Sequence, residues 1–359
     1  MMRADEAEAR GDARAALELF ERMPNGPDGK PFWRPWRLRR LVQLATLGPL
    51  LPRWATSRWI LEQALQGLDD SRRPQFLKAM EIAVEIRGGE DRLTGVDPED
   101  AKLKVVDHDW VFRQVSLYEL GGLSHFVRRT ASADLLAGAD RIQEWARARM
   151  GAFRLLERAP ATLAWENVAT GDRIEVPNIG SGVFLVPGDY AIGRLVPTEQ
   201  GQMFESIPLR VPPEVARIVA DAPDDWLDAL RAARVADDPP HTGGFRFGVL
   251  NDVPMPIVWA ALFVGRTDPA PPTDAEAAGA LLKVAREALA AGHEDRSPHE
   301  LEVWPCLAAA VLEPAVAAGL AEVVRPGDAA VFVGLGEALA EPAAAVCRGL
   351  AELLRAEAA

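Results

Sequence analysis

The sequence predicts a mainly helical, multidomain α+β chain with a small barrel-like β module at its centre. Alanine-rich segments with apolar residues at helical spacing dominate residues 1–150 and 213–359. From Ala152 the pattern changes to short alternating runs separated by Gly and Pro. A length of 359 residues also favours more than one core. The expected units are a helical N-terminal domain over 1–150, a β module over 151–212, and an acidic, mainly helical C-terminal domain over 213–359.

In chain order, residues 5–10, the break Gly11-Asp12 and residues 13–23 predict a helix, a tight turn and a second helix packing through Ala16, Leu19 and Phe20. Through Gly11, Ala16 and Phe20 this segment resembles the second helix of a tetratricopeptide repeat. The likeness ends at Pro24, so it implies no peptide groove. Helices are next expected over about 36–47 and 54–67. Pro74 opens another, whose face is Phe76, Leu77, Met80, Ala83 and Val84 and which Gly88-Gly89 closes. Asp97-Pro98 predicts the start of a long helix reaching Leu120, Ser124 caps the next, and Ile142, Trp145 and Met150 share a last helical face.

The β module is expected to comprise short strands over 153–158, 162–168, 173–176, 184–186, 190–196 and 203–211, curled into a small barrel. Trp165-Glu166-Asn167, Thr170-Gly171-Asp172-Arg173, Pro187-Gly188-Asp189 and Phe204-Glu205-Ser206 resemble the SH3-like module of uncharacterised bacterial proteins, some of which carry a SEC-C metal-binding tail. This sequence lacks the clustered cysteines of that tail, so the resemblance implies a fold and neither zinc nor a catalytic residue. Beyond it, helices are expected from Pro213, around Trp226, from the capping box Thr273-Asp274-Ala275-Glu276, and around Trp304. Strands are expected at Phe245–Leu250 and Val331–Val333, with a final helix over about 337–356.

Charge narrows the functional classes. The net charge of −13 is uneven, with 23 acidic and 11 basic residues in 214–359 against 30 and 29 in 1–213. An acidic surface opposes a protein that coats nucleic acid along its whole length. The exception is an acid-free run between Asp28 and Glu62, which holds seven basic residues and four of the ten tryptophans. Trp33, Trp36, Arg37, Arg39 and Arg40 are therefore the candidate partner-binding residues, set against a simpler role in which tryptophans fill a helix interface and arginines extend outward.

The candidate acid–base group is Asp107, His108 and Asp109, with His125 beyond the glycine break, because a carboxylate beside imidazole tunes proton transfer. Neighbours on a helix point in different directions, and Ser116, Ser124 and Ser132 lack a nucleophile motif. Two cysteines, Cys306 and Cys347, provide neither a disulfide framework nor a zinc set and read as buried thiols. The His293/His299 spacing, the Gly334-Leu335-Gly336 turn and His241-Thr242-Gly243-Gly244 fall short of metal, dinucleotide and phosphate-loop motifs. No metal and no cofactor are expected, and no uninterrupted apolar stretch is long enough to span a bilayer.

The leading expectation is a noncatalytic, cytoplasmic bacterial interaction or scaffold protein with a protein partner. The alternative is a hydrolase or group-transfer enzyme using the Asp107–Asp109 region. A nucleic-acid adaptor is the third.

Overall fold

The structure is a computed structural model. It describes residues 2–23, 35–66, 72–89, 105–106, 109–159, 161–179, 185–236, 273–291 and 303–358. These residues form a mostly helical molecule around one small antiparallel sheet.

The N-terminal pair is α1 (Met2–Ala9) and α2 (Ala13–Glu21). Gly11 turns the chain between them at φ +81°, with Leu135 packed 3.3 Å from where a Cβ would stand. Asp12 then caps α2 by accepting from the Ala15 amide at 2.9 Å. Helix α3 (Pro35–Leu47) and α4 (Arg53–Gln66) follow. Trp54 and Trp59 of α4 are buried with Phe20, Leu41 and Leu61 in the N-terminal core. Helix α5 (Arg73–Ile86) buries Ala79, Ala83, Val84 and Ile86. Leu77, expected on that face, stands outside at 48% exposure.

The long helix expected to reach Leu120 takes another form. Asp109 caps a short α6 (Trp110–Gln114), which passes into a π-helical turn (Val115–Glu119) and ends at Gly121 with φ +68°. The Asp97 cap lies outside the described residues. Helices α7 (Gly122–Arg129), α8 (Ala133–Gly138) and α9 (Ile142–Trp145) complete the region. Ser124 sits inside α7 rather than capping it, and its hydroxyl donates to the Ala146 carbonyl over 3.4 Å. Met150 does not extend α9; it opens the sheet.

The strands are β1 (Met150–Arg158), β2 (Thr162–Asn167), β3 (Arg173–Pro177), β4 (Tyr190–Thr198), β5 (Gly201–Phe204) and β6 (Leu209–Val211). Their order is β3-β2-β1-β4-β5, with β6 also paired to β4, and each of these ladders is antiparallel. The expected last strand over 203–211 is interrupted between Phe204 and Leu209. The Leu185–Val186 strand is not formed, and Phe184 lies outside the described residues. A register shift between Leu155 and Glu157 bends β1. The sheet curls over Phe153, Trp165 and Phe204, whose rings meet edge to face at 5.0 and 5.2 Å. The edge strands β3 and β5 come close, but among the described residues no ladder joins them, so the sheet is not closed.

Helices α10 (Pro213–Asp221) and α11 (Trp226–Ala236), which the sequence groups with the C-terminal domain, pack on the sheet and on α5. Trp226 meets Trp110 edge to face at 5.7 Å. The C-terminal body holds α12 (Asp274–Ala291), α13 (Val303–Leu312), α14 (Pro314–Val323), α15 (Ala329–Ala338) and α16 (Ala343–Ala358). The Thr273 capping box forms, with amide to side-chain distances of 2.9 and 3.2 Å. The strand expected at Val331–Val333 is instead the middle of α15. Gly334 and Gly336 lie inside that helix, where a Cβ would press on Leu289 and Arg348. Leu47, Leu50 and Leu51 join this core from α3 and the turn after it. Cys306 and Cys347 are buried, and burial pushes the Cys347 thiol up to about 12.

Among the described residues no single helix is long and apolar enough to cross a membrane. The segments expected to hold His241–Gly244, Phe245–Leu250, His293 and His299 lie outside the described residues.

Candidate functional site

Helix α3 turns its arginines inward. The Nε of Arg37 donates to Glu8 at 2.7 Å, its Nη2 pairs with both Asp5 and Glu8, and its guanidinium lies 4.7 Å from the Phe20 ring centre. The indole of Trp59 donates to the other oxygen of Glu8 at 3.2 Å. Burial raises the Glu8 carboxyl above its ordinary value, although Arg37 pulls the other way.

Arg40 makes a bidentate pair with Glu62 at 2.7 and 3.0 Å and donates to Gln43 at 2.8 Å. Gln43 in turn donates to the Leu312 carbonyl at 2.7 Å. Burial works against charge on Arg40, but the pair with Glu62 more than offsets it, and its pKa rises. Arg39 reaches the other way, to Asp274 at the start of α12, at 2.9 Å.

The expected exposure is therefore corrected for Arg37 and Arg40. Arg37 and Arg40 are only 8% and 9% exposed, and all three guanidinium groups are spent on carboxylates of the same chain. The aromatic half of the run divides: Trp54 and Trp59 are core, the side chain of Trp36 is not described, and Trp33 lies outside the described residues.

Of the candidate acid–base group, Asp109 and His125 are among the described residues. Asp107 and His108 lie outside the described residues. Asp109 is 3% exposed, accepts from the Phe112 amide at 2.6 Å and pairs with Arg87. Burial raises its pKa, and Arg87 and the amide oppose the shift. Both of its oxygens thus hold the α6 start and its neighbour α5, a structural task. His125 is half-buried on α7. Of the serines, Ser132 caps α8 by accepting from the Leu135 amide at 3.1 Å.

A different polar cluster lies where α4, the π-helical turn and the sheet meet. Glu205, 1% exposed, accepts from Gln114 and from the Ser206 hydroxyl, and faces Arg113 at 3.7 Å. Arg194, on β4, donates to Gln114 at 2.9 Å, to the Ala148 carbonyl at 2.5 Å and to Glu119 at 2.5 Å, with its guanidinium 4.1 Å over the Tyr118 ring. The Trp226 indole donates to the same Glu119 oxygen at 3.0 Å. Arg58 stacks 4.7 Å from the Trp54 ring centre, and its Nη2 reaches the Phe204 carbonyl over 3.4 Å.

Burial pulls Arg58 down to about 10, with repulsion from Arg40 and Arg113 adding to it and attraction from Glu205 and Glu62 opposing it. Burial also raises the Tyr118 hydroxyl well above its usual range. The Nε of Arg58, the Nε of Arg113, the Tyr118 hydroxyl and one Glu205 oxygen are all buried without a hydrogen bond.

One signal for this cluster is present in the sequence: an arginine at position 194, inside the apolar run of β4. Arg58 belonged to the basic run, while Gln114, Tyr118 and Glu205 carry no pattern that separates them from ordinary surface residues. Among the described residues no three or more of His, Cys, Asp and Glu come together as a metal-ligand set. Neither a protein-family model, nor a curated protein, nor a solved structure matches this chain.

Proposed function

We propose that the chain is a noncatalytic interaction or scaffold protein of the bacterial cytoplasm, with a protein as its partner. The observation that supports this reading is the use of α3 as a tie. Its arginines join it to α1 through Asp5 and Glu8, to α4 through Glu62, and to α12 through Asp274. Gln43 adds a bond to the end of α13. Such a tie holds the N-terminal helices and the C-terminal body at a fixed mutual angle, which is what a presenting framework requires.

Asp109, the described carboxylate of the candidate acid–base group, is occupied in holding α6 and α5, which leaves the catalytic reading without its most sharply placed acid. The curled sheet is read as an SH3-like module, supported by the turn at Gly188 and the close approach of β3 and β5. Contact with a partner is not assigned to Arg37, Arg39 or Arg40.

Affinity purification at native abundance, with crosslinking and with nuclease-treated and untreated samples compared, tests the reading. Protein crosslinks that are reproducible and survive nuclease are expected. Recovery that collapses on nuclease treatment would replace this reading with the nucleic-acid adaptor, and no enriched protein in either sample would remove the interaction role.

A further inference from the structure

We infer that Arg58 anchors a binding site for a small oxyanion at the junction of α4, the π-helical turn and β5. Arg40 has Glu62 at 2.7 Å, Arg194 has Glu119 at 2.5 Å, and Arg113 has Glu205 at 3.7 Å. Among the described residues, Arg58 has no carboxylate within ion-pair distance. A partly desolvated guanidinium without a counter-ion is costly, and proteins normally pair such groups.

The unspent hydrogen-bonding atoms give the same sign. Arg58 Nε, Arg113 Nε and the Tyr118 hydroxyl are three buried groups able to donate. The remaining acceptor, the second oxygen of Glu205, already faces Arg113. Arg58 reaches the carbonyl of Phe204, the residue before Glu205, which Arg113 faces; Gln114 joins Glu205 to Arg194, whose guanidinium lies over the Tyr118 ring, so the four side chains share one neighbourhood. What fits a surplus of donors and one surplus positive charge is an acceptor-rich anion.

Arg58 and Arg113 are only half-buried, so part of each side chain already meets solvent. The π-helical turn that carries Tyr118 adds support, since such turns recur at functional sites. This site stands independently of the scaffold reading. It requires no partner protein and is tested without one.

The full chain is titrated calorimetrically with inorganic phosphate, acetate and chloride at matched ionic strength. Saturable one-site binding of phosphate or acetate in the millimolar range or tighter is expected, and chloride is expected to give none. Phosphate alone would identify a phosphate-type ligand, and both oxyanions binding would identify the shared oxyanion chemistry. Arg58→Gln is expected to weaken binding by roughly 10- to 100-fold, the scale of a lost charge-assisted bond. Arg58→Lys is expected to retain part of it.

Tyr118→Phe, which removes only the hydroxyl, is expected to weaken binding by roughly 5-fold while leaving the circular dichroism unchanged. Absence of binding to the wild-type chain overturns the site, as does chloride binding as well as phosphate. Undiminished phosphate binding by both folded Arg58→Gln and Tyr118→Phe also overturns it.

Discussion

Two regions of this molecule bury arginines, and they do so in opposite ways. On α3 each described guanidinium meets a carboxylate of the same chain, and Arg40 with Glu62 is a closed bidentate pair. At the junction with the sheet, Arg58, Arg113, Tyr118, Arg194, Glu119 and Glu205 share fewer bonds than they have atoms to make them, and four polar atoms are left over. A closed pair fixes geometry and offers nothing to a third party. An open cluster retains capacity for water or a ligand. Basic residues that look alike in sequence thus divide into those that hold the fold and one that is free to recruit.

The largest effect is expected where the closed kind is broken. Glu8→Ala removes one of the two carboxylates that pair with Arg37 and the acceptor of the Trp59 indole, leaving the buried guanidinium only the more exposed Asp5, a loss of about 3 kcal/mol, measured by urea unfolding. The pH dependence has a defined sign. Burial sets the folded pKa of Glu8 above its ordinary 4.5, so the carboxyl's contribution is fully present below that value and is lost as pH rises through the folded pKa. Glu8→Gln, which cannot titrate, is expected to remove this part of the fall in stability with rising pH. An unchanged profile would show that Glu8 folds with an unshifted pKa.

Packing within the C-terminal body supplies a second contrast of nearly the same size. Where α14 crosses α12, a Cβ on Gly319 would lie 1.9 Å from the Asp274 carbonyl oxygen. Backbone cannot yield as a side chain does, so Gly319→Ala is expected to cost about 3 kcal/mol, the upper part of the usual overpacking range. Gly327→Ala, with open space around it, is the control in the same thermal melt.

At the open cluster the response should be smaller and of a different kind. Glu205→Ala removes an acceptor used by Gln114 and Ser206, but its ion pair with Arg113 is long, and a loss of about 2 kcal/mol is expected. Phosphate should restore part of that loss, because Arg113 then lacks a counter-ion as Arg58 does. Phosphate should restore nothing to Glu8→Ala. Equal responses of the two variants in thermal melts with and without phosphate would erase the distinction between open and closed regions.

Much of this architecture is legible in the sequence because local chemistry sets it. Asp12, the Thr273–Glu276 box and Gly88-Gly89 mark helix ends through bonds that span a few residues. The change to alternating runs near Ala152 locates the sheet.

The misreadings share a cause. Val331, Phe332 and Val333 look extended by propensity, but Phe332 and Leu335 are fully buried one helical turn apart, so tertiary packing overrides the β-branched residues. The arginines of α3 look exposed because their acids are far off in sequence: 29 residues away for Glu8, 22 for Glu62 and 235 for Asp274. A window of local charge cannot see such partners. The junction cluster was less legible still, since its members come from α4, α6, the π-helical turn, β4 and the segment after β5, and only Arg194 breaks the pattern of its own element.

The smallest effect tests what joins the two helical bodies. Arg39 and Asp274 are 27% and 22% exposed, so water already screens the pair, and Arg39→Ala is expected to cost no more than about 1 kcal/mol, less at high salt. Beside it, Leu47, Leu50 and Leu51 sink into the C-terminal core, and Leu50 lies against Gly349 closely enough that a Cβ there would come within 2.3 Å. Apolar contact of that kind is insensitive to salt. If Arg39→Ala instead loosens α12 in hydrogen exchange as strongly as Gly319→Ala does, the ion pair rather than the leucines carries the joint, and the tie through α3 depends on ionic strength.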